Sequence, residues 1–272
     1  MYITNDPAVA LIAEKYGVDR IWVDLETLGK EKRQHNMNTV KSKHGIQDIF
    51  NISNLLTRSE MLVRINPIND SSEKEINQVI DAGADIIMLP MWKKSEEVKE
   101  FIEIVKGRVK TTLLLETKEA VDCLDDVLKS GGFDEVHIGL NDLHLSYGLN
   151  FMFELISNKT VENISFKLKK ANVPFGFGGI SKLGDGLLPA EKIIVEHYRV
   201  GSTRAILSRS FCDTAKEKNL EKIENIFKTN MKLLRSLENK ISEFDTDDFD
   251  RNFDEIKLIV NGIVKEMKCV NK

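Results

Sequence analysis

Residues Lys110 to Gly148 read KTTLLLETKEAVDCLDDVLKSGGFDEVHIGLNDLHLSYG and hold one complete strand–helix–strand step. The apolar run Leu113–Leu115 stops at Glu116, a helical segment follows, and a second run, Val136–Leu140, stops at Asn141 and Asp142. Short apolar runs bounded by turn residues are buried strands. Parallel strands joined by a crossover helix end on the same edge of their sheet, so Glu116 and Asp142 are expected to face one another across adjacent strands. Two hard oxygen ligands with space beside them suit Mg²⁺ or Mn²⁺ carrying a chelating substrate. Acids at strand ends also serve simply to keep an edge solvated, and the spacing alone leaves both readings open.

The same alternation runs outward in both directions with a step of about 25 residues, the pattern of repeated βα units. Strands are expected at Tyr2–Thr4, Arg20–Asp24, Met61–Ile65, Asp85–Leu89, Thr111–Leu115, Glu135–Leu140, Pro174–Gly178 and Tyr198–Gly201. Between them, apolar residues recur at helical spacing, as in Ile76, Val79 and Ile80 before Gly83, a glycine placed for a left-handed helix cap. Eight such units in 272 residues predict a (β/α)8 TIM barrel with additional C-terminal helices, since that fold takes roughly 250 residues.

The barrel body is expected over residues 1–212 and the C-terminal helices over 213–272. One helix, Asp213 to Ile241, carries Leu220, Ile223, Phe227, Leu234 and Leu237 and closes the barrel as its eighth. A second, through Phe253, Ile256, Val260, Ile263 and Val264, presents an apolar face with no place in a finished barrel. A second copy of the chain is the natural cover, so a homo-oligomer is expected with these helices in its interface.

Composition narrows the function classes. Hydrophobic residues at 42% and charged residues at 30% are the balance of a globular protein, and a net charge of −4 leaves no electrostatic footprint for nucleic acid. No basic segment precedes an apolar one at the N-terminus, and no run reaches the ~18 apolar residues of a membrane span. A cytoplasmic protein without a membrane partner is expected. Cys123, Cys212 and Cys269 are too scattered for a disulfide framework or a zinc site and read as plain thiols.

The second strand ends in VDLE and the third in VRIN, which adds Asp24, Glu26 and Arg64 to the same edge. A guanidinium closing a strand of Leu62, Val63 and Ile65 is partly desolvated, and it gains most by binding an oxyanion. A structural pair with Asp24 or Glu26 is the competing role. The polar insertion Gly29–Lys43, with Lys30, Lys32, Arg33 and Lys41, reads either as a lid over an anionic ligand or as a solvated excursion.

Taken together, GVDRIWVDLE (Gly17–Glu26), VRINP (Val63–Pro67), EINQVIDAGADIIMLPM (Glu75–Met91), LLLETKEAVD (Leu113–Asp122) and HIGLNDLHLSYG (His137–Gly148) resemble the HpcH/HpaI aldolase and citrate lyase β-subunit family of pyruvate/phosphoenolpyruvate barrels. The resemblance covers Gly17 to about Ser210. It implies that Glu116 and Asp142 ligate a divalent metal, Mg²⁺ or Mn²⁺, and that Arg64 contacts the keto or enolate oxygen of a metal-chelated pyruvate. Backbone N–H groups around Asn141 to Leu143 would receive its carboxylate. The implied activity is a carbon–carbon lyase of the class II pyruvate aldolase type, joining or releasing a 2-oxo acid and an aldehyde; the glycine-rich loops after strands seven and eight, read by themselves, suit an anionic, sugar-like co-substrate.

The departures are specific. Where the HpaI-like branch follows its acid motif with an acid–base histidine, this chain has Thr27, which is no base near neutral pH. DLETLGKEKRQ looks more like the citrate lyase branch, in which a Lys and an Arg follow DLE. His44 at the next helix start is the best substitute base, with Asp24 and Glu26 as assistants, and it reads equally as a surface histidine. The family's glutamine before the metal glutamate is Leu114 here. His137 reads as a hydrogen-bonded core residue and His144 as a possible site lining. GFGGISKLGDGLLPAE and EHYRVGSTRAILSRS, placed after strands seven and eight, predict a phosphate-type site involving Ser202 and Arg204, while glycines there also suit tight turns. Two further readings keep the fold: an enzyme acting on phosphoenolpyruvate or an acyl thioester, and a catalytically silent ligand-binding barrel.

Overall fold

A computed structural model describes residues 1–29 and 44–270; Lys30, Lys32, Arg33 and Lys41 of the insertion lie outside them. The strands are β1 (Tyr2–Ile3), β2 (Arg20–Asp24), β3 (Glu60–Arg64), β4 (Ile86–Leu89), β5 (Lys110–Leu115), β6 (Glu135–Ile138), β7 (Phe175–Ile180) and β8 (Arg204–Leu207). They pair in parallel in chain order, and β8 pairs with β1, closing the barrel. Helices among the described residues are α1 (Pro7–Lys15), α2 (Ile46–Ser53), α3 (Ser72–Asp81), α4 (Ser95–Val105), α5 (Lys118–Asp122), α6 (Leu124–Ser130), α7 (Leu140–Ser146), α8 (Glu154–Ser157), α9 (Thr160–Lys170), α10 (Ala190–Val200), α11 (Leu220–Ile241) and α12 (Thr246–Val270). None of them is long and apolar enough to cross a membrane.

The strands are apolar on both faces because both are covered. Trp22, Leu62, Ile86, Met88 and Leu114 fill the barrel interior. Val23, Val63, Ile87, Leu113 and Val136 point outward into the larger core under the helices. Gly83 caps α3 at φ +102, and a Cβ there would meet Ser53 Oγ at 2.5 Å, so the position excludes other residues on two counts.

Charge closes the amino edge. The Arg20 guanidinium pairs with both oxygens of Glu135 and, at 3.0 Å, with Glu60. Arg204 reaches Glu135 at 3.0 Å, Lys110 pairs with Glu60, and Thr112 Oγ1 donates to Glu135 Oε1 at 2.7 Å.

Most strand boundaries shift by a residue or two, and three differences from expectation bear on the fold and the site. Tyr198–Gly201 is not the eighth strand but the end of α10, whose buried Ile193, Ile194, His197 and Val200 continue the helical period to a cap at Gly201, φ +80. The eighth strand is Arg204–Leu207, short and half-exposed, so its apolar signal is weak. β6 ends at Ile138 rather than Leu140, because Gly139 turns the chain and Leu140 opens α7. The helix expected from Asp213 starts at Leu220, where the Asn219 side chain accepts from Lys222 N–H.

α11 packs against α1 and α10 and is the eighth barrel helix. α12 folds back over α10 and α8, burying Phe253, Ile256, Val260 and Val264 within the chain. Arg199 lies 4.5 Å over the Phe253 ring. The apolar face that suggested a second copy is thus covered by the chain itself. The three cysteines are free thiols, with Cys212 buried.

Two buried histidines make stability depend on pH. His137 Nε2 bonds Gly178 O at 3.2 Å inside the barrel, and His197 stacks on Phe177 with ring centroids 3.7 Å apart. Burial pushes both imidazoles down to about 3, so both are neutral when folded. Unfolded imidazole titrates near 6.5, so below that pH the unfolded chain takes up protons that the folded chain refuses. The stability they confer is complete above pH ~6.5 and falls by about 1.4 kcal/mol per pH unit per histidine toward pH ~3. In His197→Phe, one such slope is removed. Urea titrations between about pH 4.5 and 6.5 should show the wild-type-minus-variant difference shrinking by about 1.4 kcal/mol per unit as pH falls; a pH-independent difference contradicts the assignment.

Candidate active site

The carboxyl edge is built from β2 upward. Asp24 ends β2 and Arg64 ends β3, and the two are register partners. Both Asp24 oxygens take the guanidinium, Oδ1 from Nε and Oδ2 from Nη2, each at 2.8 Å. Glu26 Oε2 lies 3.3 Å from the same Nη2, and Glu26 N–H donates to Asp24 Oδ1 at 3.2 Å. The guanidinium carbon sits 5.3 Å over the Trp22 ring, which floors the pocket. Burial alone would lower the Arg64 pKa, but Asp24, then Glu26 and Glu116, more than offset it and hold the charge firmly on. No hydrogen bond reaches Nη1 among the described residues.

Glu116 follows β5 directly and is buried. Its Oε1 accepts from Met91 N–H at 3.1 Å. Burial first, then the charges of Asp142 and Glu26, push its carboxyl up to about 8, against the pull of Arg64 and the Met91 amide. Glu116 is therefore a carboxylate that gains from a cation, and Asp142 and Arg64 lie close enough to shift its ionisation. Gly139 makes room for it: a Cβ there would stand 2.9 Å from Glu116 Cβ and 3.0 Å from its Oε2. Gly139→Ala is accordingly expected to swing the carboxylate aside and weaken divalent-metal binding by at least about tenfold, a loss of 1.4 kcal/mol or more. Titration of Mn²⁺ into wild type and variant checks this, and equal affinities would contradict it.

Asp142 is half-buried in the first turn of α7, not at a strand end. Asn141 beside it is exposed, and its amide is one of the first-turn donors with no carbonyl partner inside the helix. The Leu143 amide is not available for a substrate carboxylate, because it already donates to Gly139 O at 3.1 Å.

His44 is brought to the site in an unexpected role. Asp24 N–H donates to its Nδ1 at 2.9 Å. A nitrogen that accepts from an amide bears no proton, so the neutral ring carries its hydrogen on Nε2 and its basic lone pair is occupied. In this arrangement His44 is a clamp on the β2 end and a donor, not a base. His144 is buried on α7 with Nδ1 bonded to Leu140 O at 3.2 Å.

Ser202 and Arg204 lie at the opposite end of the barrel. Ser202 precedes β8 and Arg204 opens it, so both sit at the amino edge, Ser202 Oγ on His197 Nδ1 at 2.7 Å and Arg204 on Glu135. The glycine loop after β7 has spent the amides expected to hold phosphate. Gly184 N–H donates to Glu191 Oε1 at 2.6 Å and Gly186 N–H to Asp185 Oδ1 at 2.8 Å.

Two residues escaped sequence reasoning. Asn66 Oδ1 accepts from the Thr27 and Leu28 amides, both at 2.9 Å, and its Nδ2 donates to Glu75 Oε1 at 2.8 Å. Asn66 thus pins the chain where the insertion begins, and α3 holds Asn66. Its position two residues past Arg64 in VRINP was the available signal; nothing local marks Glu75.

Among the described residues, no three His, Cys, Asp or Glu side chains converge to cage an ion. The donor set is a pair of carboxylates, the number with which Mg²⁺ is held when substrate oxygens and water complete its shell. With Glu116 raised toward neutrality by burial and then by the charge of Asp142, the residues present fit a hard divalent cation.

No curated protein sequence matches the chain. Among solved structures, an HpcH/HpaI aldolase from Desulfitobacterium hafniense DCB-2 superposes with a TM-score of 0.61 at 16% identity, covering 82% of this chain and 91% of that one. Citrate synthase SbnG gives 0.57 at 17% identity over 76% and 84%, and a citrate lyase from Burkholderia xenovorans LB400 gives 0.56 at 13% over 83% and 75%. These likenesses are of fold. The model of the HpcH/HpaI aldolase/citrate lyase family matches residues 2–156, more than half of the chain and all of β1 to α7, which carry Asp24, Arg64, Glu116 and Asp142. The chain belongs to the HpcH/HpaI aldolase/citrate lyase family.

Proposed function

We propose that the chain is a divalent-metal-dependent carbon–carbon lyase of the aldolase type, acting on a 2-oxo acid such as pyruvate through its enolate. The observation that carries this reading is the meeting of Glu116, Asp142 and Arg64, from β5, α7 and β3, on one edge of the barrel. Glu116 and Asp142 would hold Mg²⁺ or Mn²⁺. The bound ion would supply Lewis-acid stabilisation of the enolate, commonly several kcal/mol.

The chain's own residues do the rest. Asp24 fixes the Nε–Nη2 edge of Arg64, so the guanidinium enters no reorganisation when its Nη1 edge meets the developing oxyanion. The first-turn amides of Asn141 and Asp142 receive the substrate carboxylate. Glu26, oriented by Arg64, is the carboxylate placed to move the proton on the co-substrate's oxygen, directly or through water. The co-substrate is an aldehyde, and the reading has the protein working in the cytoplasm.

The test needs no knowledge of the co-substrate. Enolate formation exchanges the methyl protons of pyruvate, so NMR of pyruvate in D₂O should show exchange that requires both the protein and Mg²⁺ or Mn²⁺. No metal binding and no exchange would end the proposal. Thr27 and the occupied Nδ1 of His44 favour one second reading, a phosphoenolpyruvate- or acyl-thioester-acting enzyme at the same site, which releases phosphate or thiol rather than aldehyde.

A further inference from the structure

The least covered wall of the barrel is β8. Arg204, Ala205 and Ile206 are each partly exposed, whereas β2, β4 and β6 are buried throughout. Between α10 and α11, over β8, lies a cleft of about 760 Å³, within the roughly 300–1,000 Å³ of small-molecule sites. Ile194, Ala205, Leu207, Met231 and Leu234 make it apolar inside, while Arg20 and Arg204 bring charge to its amino-edge end.

Asp19, Glu238 and Arg235 also line the cleft, and there Arg235 holds both acids, Glu238 at 2.7 Å and Asp19 at 4.0 Å, so the charge is uneven only at the Arg204 end. Arg20, Arg204 and Lys110 share two carboxylates, Glu60 and Glu135. Arg204 is the cation left short: its one carboxylate contact is Glu135, which Arg20 already holds by both oxygens. Its other bond is to Thr203 Oγ1 at 3.1 Å, and its side chain is 23% exposed. Burial, with Arg20 beside it, lowers its pKa despite Glu135, so a further anion is favoured at this guanidinium.

We propose that the cleft binds a small amphipathic carboxylate, its head on Arg204 and its apolar body along Ala205, Leu207 and Leu234. A neutral ligand of the same shape leaves Arg204 short, and a cation opposes it. The carboxylate sits at the far end of the barrel from Glu116, so the occupant is not the reacting substrate, and the inference stands apart from the proposed reaction. The site was invisible in the sequence because Arg204 belongs to it only once β8 is placed after, not before, residue 201.

Isothermal titration of the full chain with sodium octanoate, and with 1-octanol as its uncharged counterpart, tests the proposal. Octanoate should bind saturably and one to one, and octanol at least about tenfold more weakly, a gap of 1.4 kcal/mol. Ala205→Phe, which fills the floor of the cleft, should weaken both, and Arg204→Gln should weaken octanoate alone. Absence of saturable octanoate binding, equal affinity for octanol, or an unchanged affinity in Ala205→Phe each overturns it. Should Arg204→Gln fail to fold, the octanol comparison and Ala205→Phe still decide.

Discussion

Glu116→Gln is expected to abolish metal-dependent exchange of pyruvate methyl protons, by at least about 10³-fold, while the barrel remains folded. An amide keeps the shape of the carboxyl and loses its charge, so one of the two proposed ion ligands goes without disturbing Leu114, Leu115 or Gly139. The same substitution has an unusual effect on stability. Because burial and the neighbouring acids push the carboxyl up to about 8, the folded chain holds a proton there that the unfolded chain releases near 4.5. A raised carboxyl pKa means stability that is complete below pH ~4.5 and is lost as pH rises toward ~8. The amide mimics the protonated form at every pH, so without metal the variant should gain on wild type as pH rises through that window. Added Mg²⁺ or Mn²⁺ should stabilise wild type and leave the variant unmoved. Urea titrations at both ends of the window, with and without ion, read this out; a variant less stable than wild type at pH ~8 without metal contradicts the electrostatic account.

Glu135→Ala is expected to cost about 3–5 kcal/mol of stability, because it takes a buried carboxylate from two guanidiniums at once and leaves Arg204 without one among the described residues. Arg20 loses both of its contacts to Glu135 and retains Glu60, Arg204 loses its one carboxylate among the described residues, and Thr112 loses its acceptor. At roughly 2–4 °C per kcal/mol for a chain of this size, the melting point should fall by about 10 °C. Glu135→Gln, which keeps an acceptor oxygen without the charge, should lose clearly less. The residue lies at the amino edge, so pyruvate exchange by the remaining folded protein should be preserved. Thermal melts of the two variants beside wild type check the order, and equal losses for Ala and Gln would show that the charge alone, and neither the acceptor oxygen nor the volume, holds this end together.

The active edge was legible wherever a charge closes an apolar run. Asp24, Arg64 and Glu116 stand out because each interrupts continuous Val, Leu and Ile, and a desolvated charge is worth its cost only with a partner. Asp142 was found by proximity in sequence, but its element was misjudged: HIGL continues the apolar run past the true strand end, and only the turn at Gly139 moves Leu140 and Asp142 onto a helix. His44 was found, but not that its Nδ1 accepts from Asp24 N–H, since which nitrogen keeps its lone pair depends on an amide twenty residues away. The eighth strand was missed because YRVG and RAIL are equally short, and the choice between them rests on where α10 stops.

By itself, then, the sequence determined the repeated βα pattern, the closed barrel, the family and three of the charged strand ends, because local periodicity and the cost of burying charge leave few alternatives. Only the tertiary structure decided that the apolar face of α12 is covered by α10 and α8, that Asn66 anchors the loop after β2, and that the amides after β7 are already taken. It also moved Ser202 and Arg204 to the opposite end of the barrel. Each of those outcomes depends on which distant group fills a given hydrogen bond or apolar face, and residues far apart in the chain compete for that place only once the fold has brought them together.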